Sequence, residues 1–67
     1  MISVVLNGES RELRDPATVA DAVAAAEAPE RGVAVAVDGE VVSRGAWSVT
    51  SLSAGQKVEV LQAVQGG

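Results

Sequence analysis

The group that is most able to take part in a reaction is the carboxylate of Gly67, which follows Gly66 at the end of the chain. Neither glycine has a Cβ, so a narrow channel in another protein would admit this carboxylate and bring it to the α-phosphate of ATP. An α-carboxyl group has a pKa of about 3.3–3.7, so it is ionised near neutrality but unreactive until ATP converts it into a mixed anhydride. Fully extended, residues 64–67 reach roughly 13 Å at about 3.3 Å per residue. The tail therefore predicts a substrate for an activating enzyme.

The rest of the sequence excludes most self-sufficient catalysis. It contains no cysteine and no histidine, which removes disulfides, thiolate nucleophiles, zinc-thiolate sites and the commonest general base. The acid pairs Glu9/Glu12 and Glu27/Glu30 lack the convergent spacing of a metal site or an acid–base pair. Taken alone, the two glycines also fit a frayed end or a cloning remnant, because chain termini often carry no function.

Composition indicates one small domain. Hydrophobic residues make up 48% of the 67 residues, and the only aromatic is Trp47, so the core must consist of small branched side chains. The net charge of −4 argues against nucleic acid as a partner, and it fits plain solubility as well as a basic protein partner. Residues 1–6 resemble neither a signal peptide nor a membrane span, so we expect a cytoplasmic location.

Two hairpins are predicted, one on either side of a helix. Ile2 to Leu6 is rich in β-branched residues and is followed by Asn7-Gly8, the strongest two-residue hairpin signal, with Glu9 to Leu13 as the returning strand. Asp38-Gly39 repeats this signal between Val33–Val37 and a short strand at residues 40–42. In Val33–Val37 the three valines share one face and the two alanines the other, and the alanine face has room for a closely packed element.

A single helix is predicted to begin near Val19. Thr18 can cap it, and Asp21 three residues later completes a variant of the capping box. Pro29 disfavours helical geometry at Ala28 and predicts the end of the helix there. Spacing of i, i+3, i+4 and i+7 gives the helix one apolar face, which consists of Val19, Ala22, Val23 and Ala26.

The order of elements predicts the arrangement of the sheet. Residues 43–56 indicate an irregular connection with one helical turn near Leu52, and Lys57 to Val64 form the last strand. If the first and last strands pair in parallel, the order β-β-α-β-β-β gives an α+β fold of the β-grasp, or ubiquitin-like, type, with a mixed sheet of about five strands and one main helix. We expect a domain over residues 1–64 and a tail over residues 65–67.

In its two hairpin turns, the start of its helix, its last strand and its Gly66-Gly67 tail, the chain resembles the ThiS family, the sulfur carrier proteins of thiamin biosynthesis. Ser43 departs from the family pattern, in which proline often precedes the arginine. The similar segments spread over nearly the whole chain and comprise Met1-Ile2 through Asn7-Gly8, Thr18-Val19, Val35-Ala36-Val37 with Asp38-Gly39, Val41-Val42-Ser43-Arg44 followed by Trp47, Val58-Glu59-Val60-Leu61, and Ala63-Val64-Gln65-Gly66-Gly67.

The resemblance implies a carrier that is not itself an enzyme. An adenylating enzyme would activate the carboxylate of Gly67, a sulfur-donating enzyme such as a cysteine desulfurase would supply sulfur, and the thiocarboxylate would pass to a thiazole synthase. Gly66 would form the slender neck, and Gln65 and Val64 would lead it into the partner. ATP and magnesium would belong to the activating enzyme, so no bound cofactor is expected, and the free chain is expected to be a monomer.

A docking surface is predicted beside the tail. On the last strand Val58 and Val60 share one face and Glu59 the other. If the helix covers the valine side, apolar residues on the opposite side stay exposed and would meet the partner. This predicted surface consists of Leu61, Ala63 and Val5, with Val64 leading onward. Two alternatives stay open, namely that isolated exposed aliphatic residues have no role, and that a bulge turns Leu61 inward.

Two residues of the predicted connection between residues 43 and 56 have interpretations of their own. Trp47 is interpreted as a cover on a small core, and Arg44 as a solvated residue or a contact to a partner's acidic groups.

The alternatives within carrier chemistry are the small subunit of molybdopterin synthase, which the short chain without phenylalanine disfavours, and a carrier for another sulfur-containing metabolite. A ubiquitin-like modifier or interaction module is the alternative of another class.

Overall fold

The computed structural model describes residues 1–28 and 32–62. A five-stranded sheet with the order β2-β1-β7-β4-β5 carries one α-helix on one face, and a second sheet contains β3 and β6. In chain order the elements are β1 (Ile2–Leu6), β2 (Glu9–Leu13), β3 (Ala17–Thr18), α1 (Val19–Ala25), β4 (Val33–Val37), β5 (Glu40–Val42), a 3-10 helix (Arg44–Val49), β6 (Ser51–Leu52) and β7 (Lys57–Gln62).

Both predicted hairpin turns are confirmed. Asn7 and Gly8 have φ of 49° and 83°, and Asp38 and Gly39 have φ of 50° and 87°. Positive φ at both central residues is the type I′ pattern, whose twist matches that of the flanking strands. Each turn thereby fixes the register of its hairpin, with Leu6 opposite Glu9 and Val37 opposite Glu40.

The predicted parallel pairing of the first and last strands is also confirmed, and it gives the β-grasp topology. Val5 lies opposite Lys57 and Leu6 opposite Val58 in a parallel ladder, while β7 pairs antiparallel with β4 on its other side. The last strand therefore lies in the centre of the sheet, and the helix occupies the connection between the two hairpins.

The start of α1 follows the sequence closely. The Thr18 hydroxyl accepts from the Asp21 amide at 3.4 Å, and the Asp21 carboxylate accepts from the Thr18 amide at 2.8 Å, which completes the predicted capping box. Val19, Ala22 and Val23 are buried, and Ala26, just beyond the helix, is partly buried against the same core. The predicted packing face is therefore confirmed.

The end of α1 differs from the prediction, because the helix stops at Ala25 and not near Ala28. Glu27 takes a left-handed conformation with φ of 56°. Its amide donates to the Ala24 carbonyl at 3.0 Å, and the Ala28 amide donates to the Val23 carbonyl at 3.4 Å, which is a Schellman motif. The Arg11 guanidinium donates to the carbonyl of Ala25 at 3.2 Å, so the final carbonyls have partners without another helical turn.

Glu27→Gly is expected to stabilise the domain. A side chain in the left-handed region costs roughly 1–2 kcal/mol, and glycine avoids this cost. Glycine also raises the conformational entropy of the unfolded chain, which offsets about 0.4–1 kcal/mol of the gain, so the free energy of unfolding should increase by about 0.5–1 kcal/mol. Urea unfolding measures it. Glu27→Ala removes the same charge and keeps a Cβ, so an equal gain in both variants would attribute the effect to charge and contradict the conformational explanation.

The core lies between the helix and one face of the sheet. Val4, Val35 and Val58 are each at most 1% exposed, and the valine face of β4 points inward while Ala34 is exposed on the other face. The suggestion that the alanine face of β4 accepts a helix or strand is therefore wrong within the described residues. Branched side chains remove more apolar surface from water than alanine does, so the valine face packs against α1.

The connection after β5 also differs from the prediction. The helical segment is a 3-10 helix at Arg44–Val49, and Leu52, where a helical turn was expected, is buried in strand β6 opposite Ala17. Trp47 is only 8% exposed, and its indole N–H donates to the carbonyl of Val42 at 3.0 Å. Its role as a cover on the core is confirmed. Within the described residues, no helix has the length and apolar character needed to cross a membrane.

Candidate functional site

The predicted reactive end of the chain lies outside the described residues. This applies to the carboxylate of Gly67, the neck formed by Gly66, Gln65 and Val64, and the predicted docking residue Ala63. The structure does place β7, the strand that leads to them. The described part of the site therefore consists of β7 and the residues that hold and surround it.

Strand β7 is held by core packing and by two neighbouring strands. Val58 is fully buried and Val60 is 8% exposed, so their side chains fix the inward face of the strand. The ladder to β4 runs without interruption from Val58 opposite Val37 to Gln62 opposite Val33. Burial of two valines and pairing on both sides near its start make β7 a rigid base for the residues that follow.

The turn residue Asp38 fastens the start of β7. Its carboxylate accepts from the Lys57 amide at 3.0 Å and from the Gln56 side-chain amide at 3.1 Å, and its own amide donates to the Lys57 carbonyl at 2.8 Å. The Gln56 side-chain carbonyl accepts from the Ser53 amide at 2.7 Å, which ties in the preceding loop. The Lys57 amide and then the Gln56 side chain favour the ionised carboxylate and hold the pKa of Asp38 below its ordinary value of 3.8.

The stabilising effect of Asp38 is expected to depend on pH. Because the folded pKa is lower than the unfolded one, the contribution is present above pH 3.8 and is lost as the pH falls through the folded pKa. Asp38→Asn keeps the turn and one carbonyl acceptor without the charge. Thermal unfolding should show wild type more stable than the variant at pH 6, with a difference that shrinks below pH 3.8. A difference that is constant from pH 6 to pH 2 would refute this linkage.

The outward face of the sheet carries the described part of the predicted docking surface. Leu61 is 61% exposed, and the regular β7–β4 ladder excludes the alternative in which a bulge turns it inward. Val5 lies on the same face but is half-buried. It pairs with Lys57, four residues before Leu61, so the two side chains are roughly 13 Å apart along the sheet. They do not form one contiguous patch.

Leu61 instead has neighbours that the sequence did not predict. Ala34 lies directly opposite Leu61, and Ala36 lies between Glu59 on β7 and Val41 on β5. Val41 is 80% exposed. We call Leu61, Ala34, Ala36 and Val41 the outer patch. The signal in the sequence that could have indicated these neighbours is the alternation of valine and alanine in β4, because it places the two small side chains on one face of that strand.

A groove of about 430 Å³ lies on the opposite side of the molecule, between α1 and the 3-10 helix. Apolar residues of α1 and Trp47 form its walls, and the exposed Arg44 lies at its edge. Among residues 1–28 and 32–62 there is no group of three or more acidic residues placed to hold a metal ion, and no buried polar side chain lacks a hydrogen bond. The described residues therefore offer surfaces and a strand base for the tail.

Comparisons with known proteins agree with this architecture. A model of the ThiS family matches residues 4–67. A crystal structure of the thiamine biosynthesis protein (ThiS) from Geobacter metallireducens is 26% identical, with a TM-score of 0.79, and covers 98% of this chain and 100% of that one. A solution NMR structure of a thiamine biosynthesis protein from the same organism is 28% identical, with a TM-score of 0.77, and covers 98% and 88%. No curated protein gives a significant match.

Proposed function

Because the chain belongs to the ThiS family, we propose that it is a sulfur carrier for the thiazole part of thiamin biosynthesis, with the carboxylate of Gly67 as the group that bears sulfur. The observation that carries the proposal is the extent of the family match, which continues through Gly66 and Gly67 to the end of the chain. The two similar structures, both of thiamine biosynthesis proteins, support the same pathway.

The proposed chemistry takes place on the terminal carboxylate. A carboxylate oxygen of Gly67 attacks the α-phosphorus of ATP, and pyrophosphate leaves. The terminal sulfur of a persulfide on a donor enzyme such as a cysteine desulfurase then attacks the acyl carbon of the mixed anhydride, and AMP leaves. A thiol such as free cysteine cleaves the S–S bond of the resulting acyl disulfide, which leaves the thiocarboxylate on Gly67 and a disulfide as the oxidised product. Gly66 has no side chain to obstruct the active-site channel, and Gln65 and Val64 extend the reach of the tail.

The catalytic groups belong to the partners in this proposal. The chain contains neither cysteine nor histidine, so it has no thiolate of its own and lacks the commonest general base. The adenylating enzyme binds ATP and magnesium and supplies the electrostatic stabilisation of adenylyl transfer. The chain is thus a substrate of that enzyme, and its thiocarboxylate is the sulfur donor to a thiazole synthase.

The outer patch is the proposed docking surface for the adenylating enzyme. Leu61 is 61% exposed and Val41 80% exposed, and the alanines between them leave a shallow apolar surface. Leu61 of this surface lies on β7, the strand that leads to the tail, so a partner bound at the outer patch would be close to the start of the tail. Burial of exposed leucine and valine side chains supplies affinity at the centre of such an interface.

Intact-mass measurement tests the proposal. The chain is incubated with ATP, magnesium, an adenylating enzyme of the type that acts on ThiS proteins, a cysteine desulfurase and cysteine. Exchange of one oxygen for sulfur at Gly67 is the expected product, and a thiazole synthase should then consume it. Lysine-linked conjugates would instead identify a modifier, and transfer only to a molybdopterin synthase large subunit would assign the other pathway. If ATP produced no change at Gly67, the carrier proposal would be refuted.

A further inference from the structure

The parallel ladder between β1 and β7 ends at the turn residue Asn7. The Val5 amide donates to the Gln56 carbonyl at 2.9 Å, and the Asn7 amide donates to the Val58 carbonyl, also at 2.9 Å. In a regular parallel ladder the next bond would run from the Val60 amide to the main-chain carbonyl of Asn7. Asn7 has φ of 49° and begins the hairpin turn, so its main chain departs from the sheet at this point.

The side chain of Asn7 replaces the missing main-chain acceptor. Its carbonyl oxygen Oδ1 accepts from the Val60 amide at 2.8 Å, between residues that are 53 positions apart in the sequence. The side chain thereby extends the ladder by one hydrogen bond where the backbone of β1 has turned away. Val60 is only 8% exposed, so its amide would lose a partner in a place where water reaches it poorly.

This bond is the last one on the β1 side of the strand within residues 1–28 and 32–62. Beyond Val60, the described pairing of β7 continues only with β4, from Leu61 opposite Ala34 to Gln62 opposite Val33. Hydrogen bonds to neighbours on both sides restrict the path of a strand, whereas a strand that is paired on one side only can twist and splay. The Asn7 side chain therefore sets the point up to which β7 is held from both sides.

We propose that Asn7 is a positioning residue, which fixes the direction in which β7 delivers the C-terminal tail to the adenylating enzyme. The inference rests on the proposed function, since it concerns the delivery of the Gly67 carboxylate. Asn7 makes no contact with the reacting atoms in this proposal. Its effect comes from the hydrogen bond to Val60, which increases the fraction of molecules whose tail points towards the partner's active site.

The other hairpin supplies a matched control. Asp38 occupies the same position in a type I′ turn, has φ of 50°, is exposed, and accepts from a backbone amide of the same strand. Its bond is made at Lys57, three residues earlier than Val60, where the ladder to β1 also holds the strand and the ladder to β4 begins one residue later, at Val58. Loss of the Asp38 side chain should therefore affect stability without changing the direction of the tail.

The test compares Asn7→Gly, Asn7→Asp and Asp38→Gly with the wild-type chain. Glycine accepts positive φ and removes the acceptor, whereas aspartate keeps an oxygen at the same place. Adenylation is followed by exchange of pyrophosphate into ATP, at a temperature at which every variant is fully folded by circular dichroism. Hydrogen exchange at the Val60 amide is measured on the same samples by NMR.

Asn7→Gly is expected to raise KM for the carrier about fivefold, with kcat within about twofold, and to accelerate exchange at Val60. Asn7→Asp should restore both values, and Asp38→Gly should leave KM unchanged. The inference is wrong if Asn7→Gly exchanges faster at Val60 but keeps the wild-type KM, or if Asp38→Gly raises KM equally. A wild-type chain that is not adenylated would instead overturn the proposed function, and the positioning role with it.

Discussion

Removal of Gly67 is expected to reduce sulfur loading by more than about 100-fold while the domain stays folded. The shortened chain still ends in a glycine carboxylate, but this carboxylate lies about 3.3 Å short of its former reach. A misplacement of about 1 Å at a reacting centre can already cost about 100-fold in rate. Intact-mass measurement of the thiocarboxylate after a timed incubation with ATP, the adenylating enzyme and the sulfur source gives the result.

The control for this truncation is the fold itself. The buried core of the described residues runs from Val4 to Val60, so thermal unfolding of the shortened chain should match that of the wild type. A chain extended by one serine after Gly67 displaces the carboxylate in the opposite direction and should also fail to load. Loading of either variant at the wild-type rate would show that the position of the carboxylate does not matter, contrary to the proposed chemistry.

Leu61→Asp is expected to weaken binding of the adenylating enzyme by at least about tenfold, as truncation of a central interface residue does. The substitution places a carboxylate on the apolar outer patch, next to Glu59 on the same face of β7. Binding would then bury a charge without a partner and beside a like charge. Titration calorimetry with the adenylating enzyme measures the dissociation constant.

Val49→Asp separates a local effect from a change in net charge. Val49 is 77% exposed and lies at the end of the 3-10 helix, which packs against α1 on the other side of the sheet. Both variants add one negative charge and remove one exposed aliphatic side chain. We expect Val49→Asp to bind like the wild type. Equal weakening in both variants would indicate long-range electrostatics, and unchanged binding of Leu61→Asp would exclude the outer patch as the docking surface.

Features that depend on neighbouring residues could be predicted from the sequence. Asn7-Gly8 and Asp38-Gly39 predicted their turns because positive φ is a property of those residue types. The Thr18–Asp21 capping box closes within one helical turn, and the inward valines of β7 follow from alternation along a strand. The resemblance then pointed to the carboxylate of Gly67 as the proposed sulfur-bearing group, a proposal that depends on the order of residues and not on the fold.

Features that depend on distant residues could not be predicted in the same way. Leu52 was expected near a helical turn, but it forms a strand because Ala17, 35 positions earlier, supplies the pairing partner. The helix ends at Ala25, where Arg11 of β2 reaches the last carbonyl. Tertiary contacts override local tendencies in both cases, since short segments have only weak preferences of their own.

The last strand and its tail show the same division most clearly. By itself, the sequence predicted a last strand followed by Gly66-Gly67, and it made the Gly67 carboxylate the group proposed for activation. Only the tertiary structure decided which residues surround that strand, with Ala34 beside Leu61, Asp38 on the Lys57 amide and Asn7 on the Val60 amide. The glycines of the tail can be recognised from the order of residues alone, whereas these contacts exist only after the sheet has brought distant segments together.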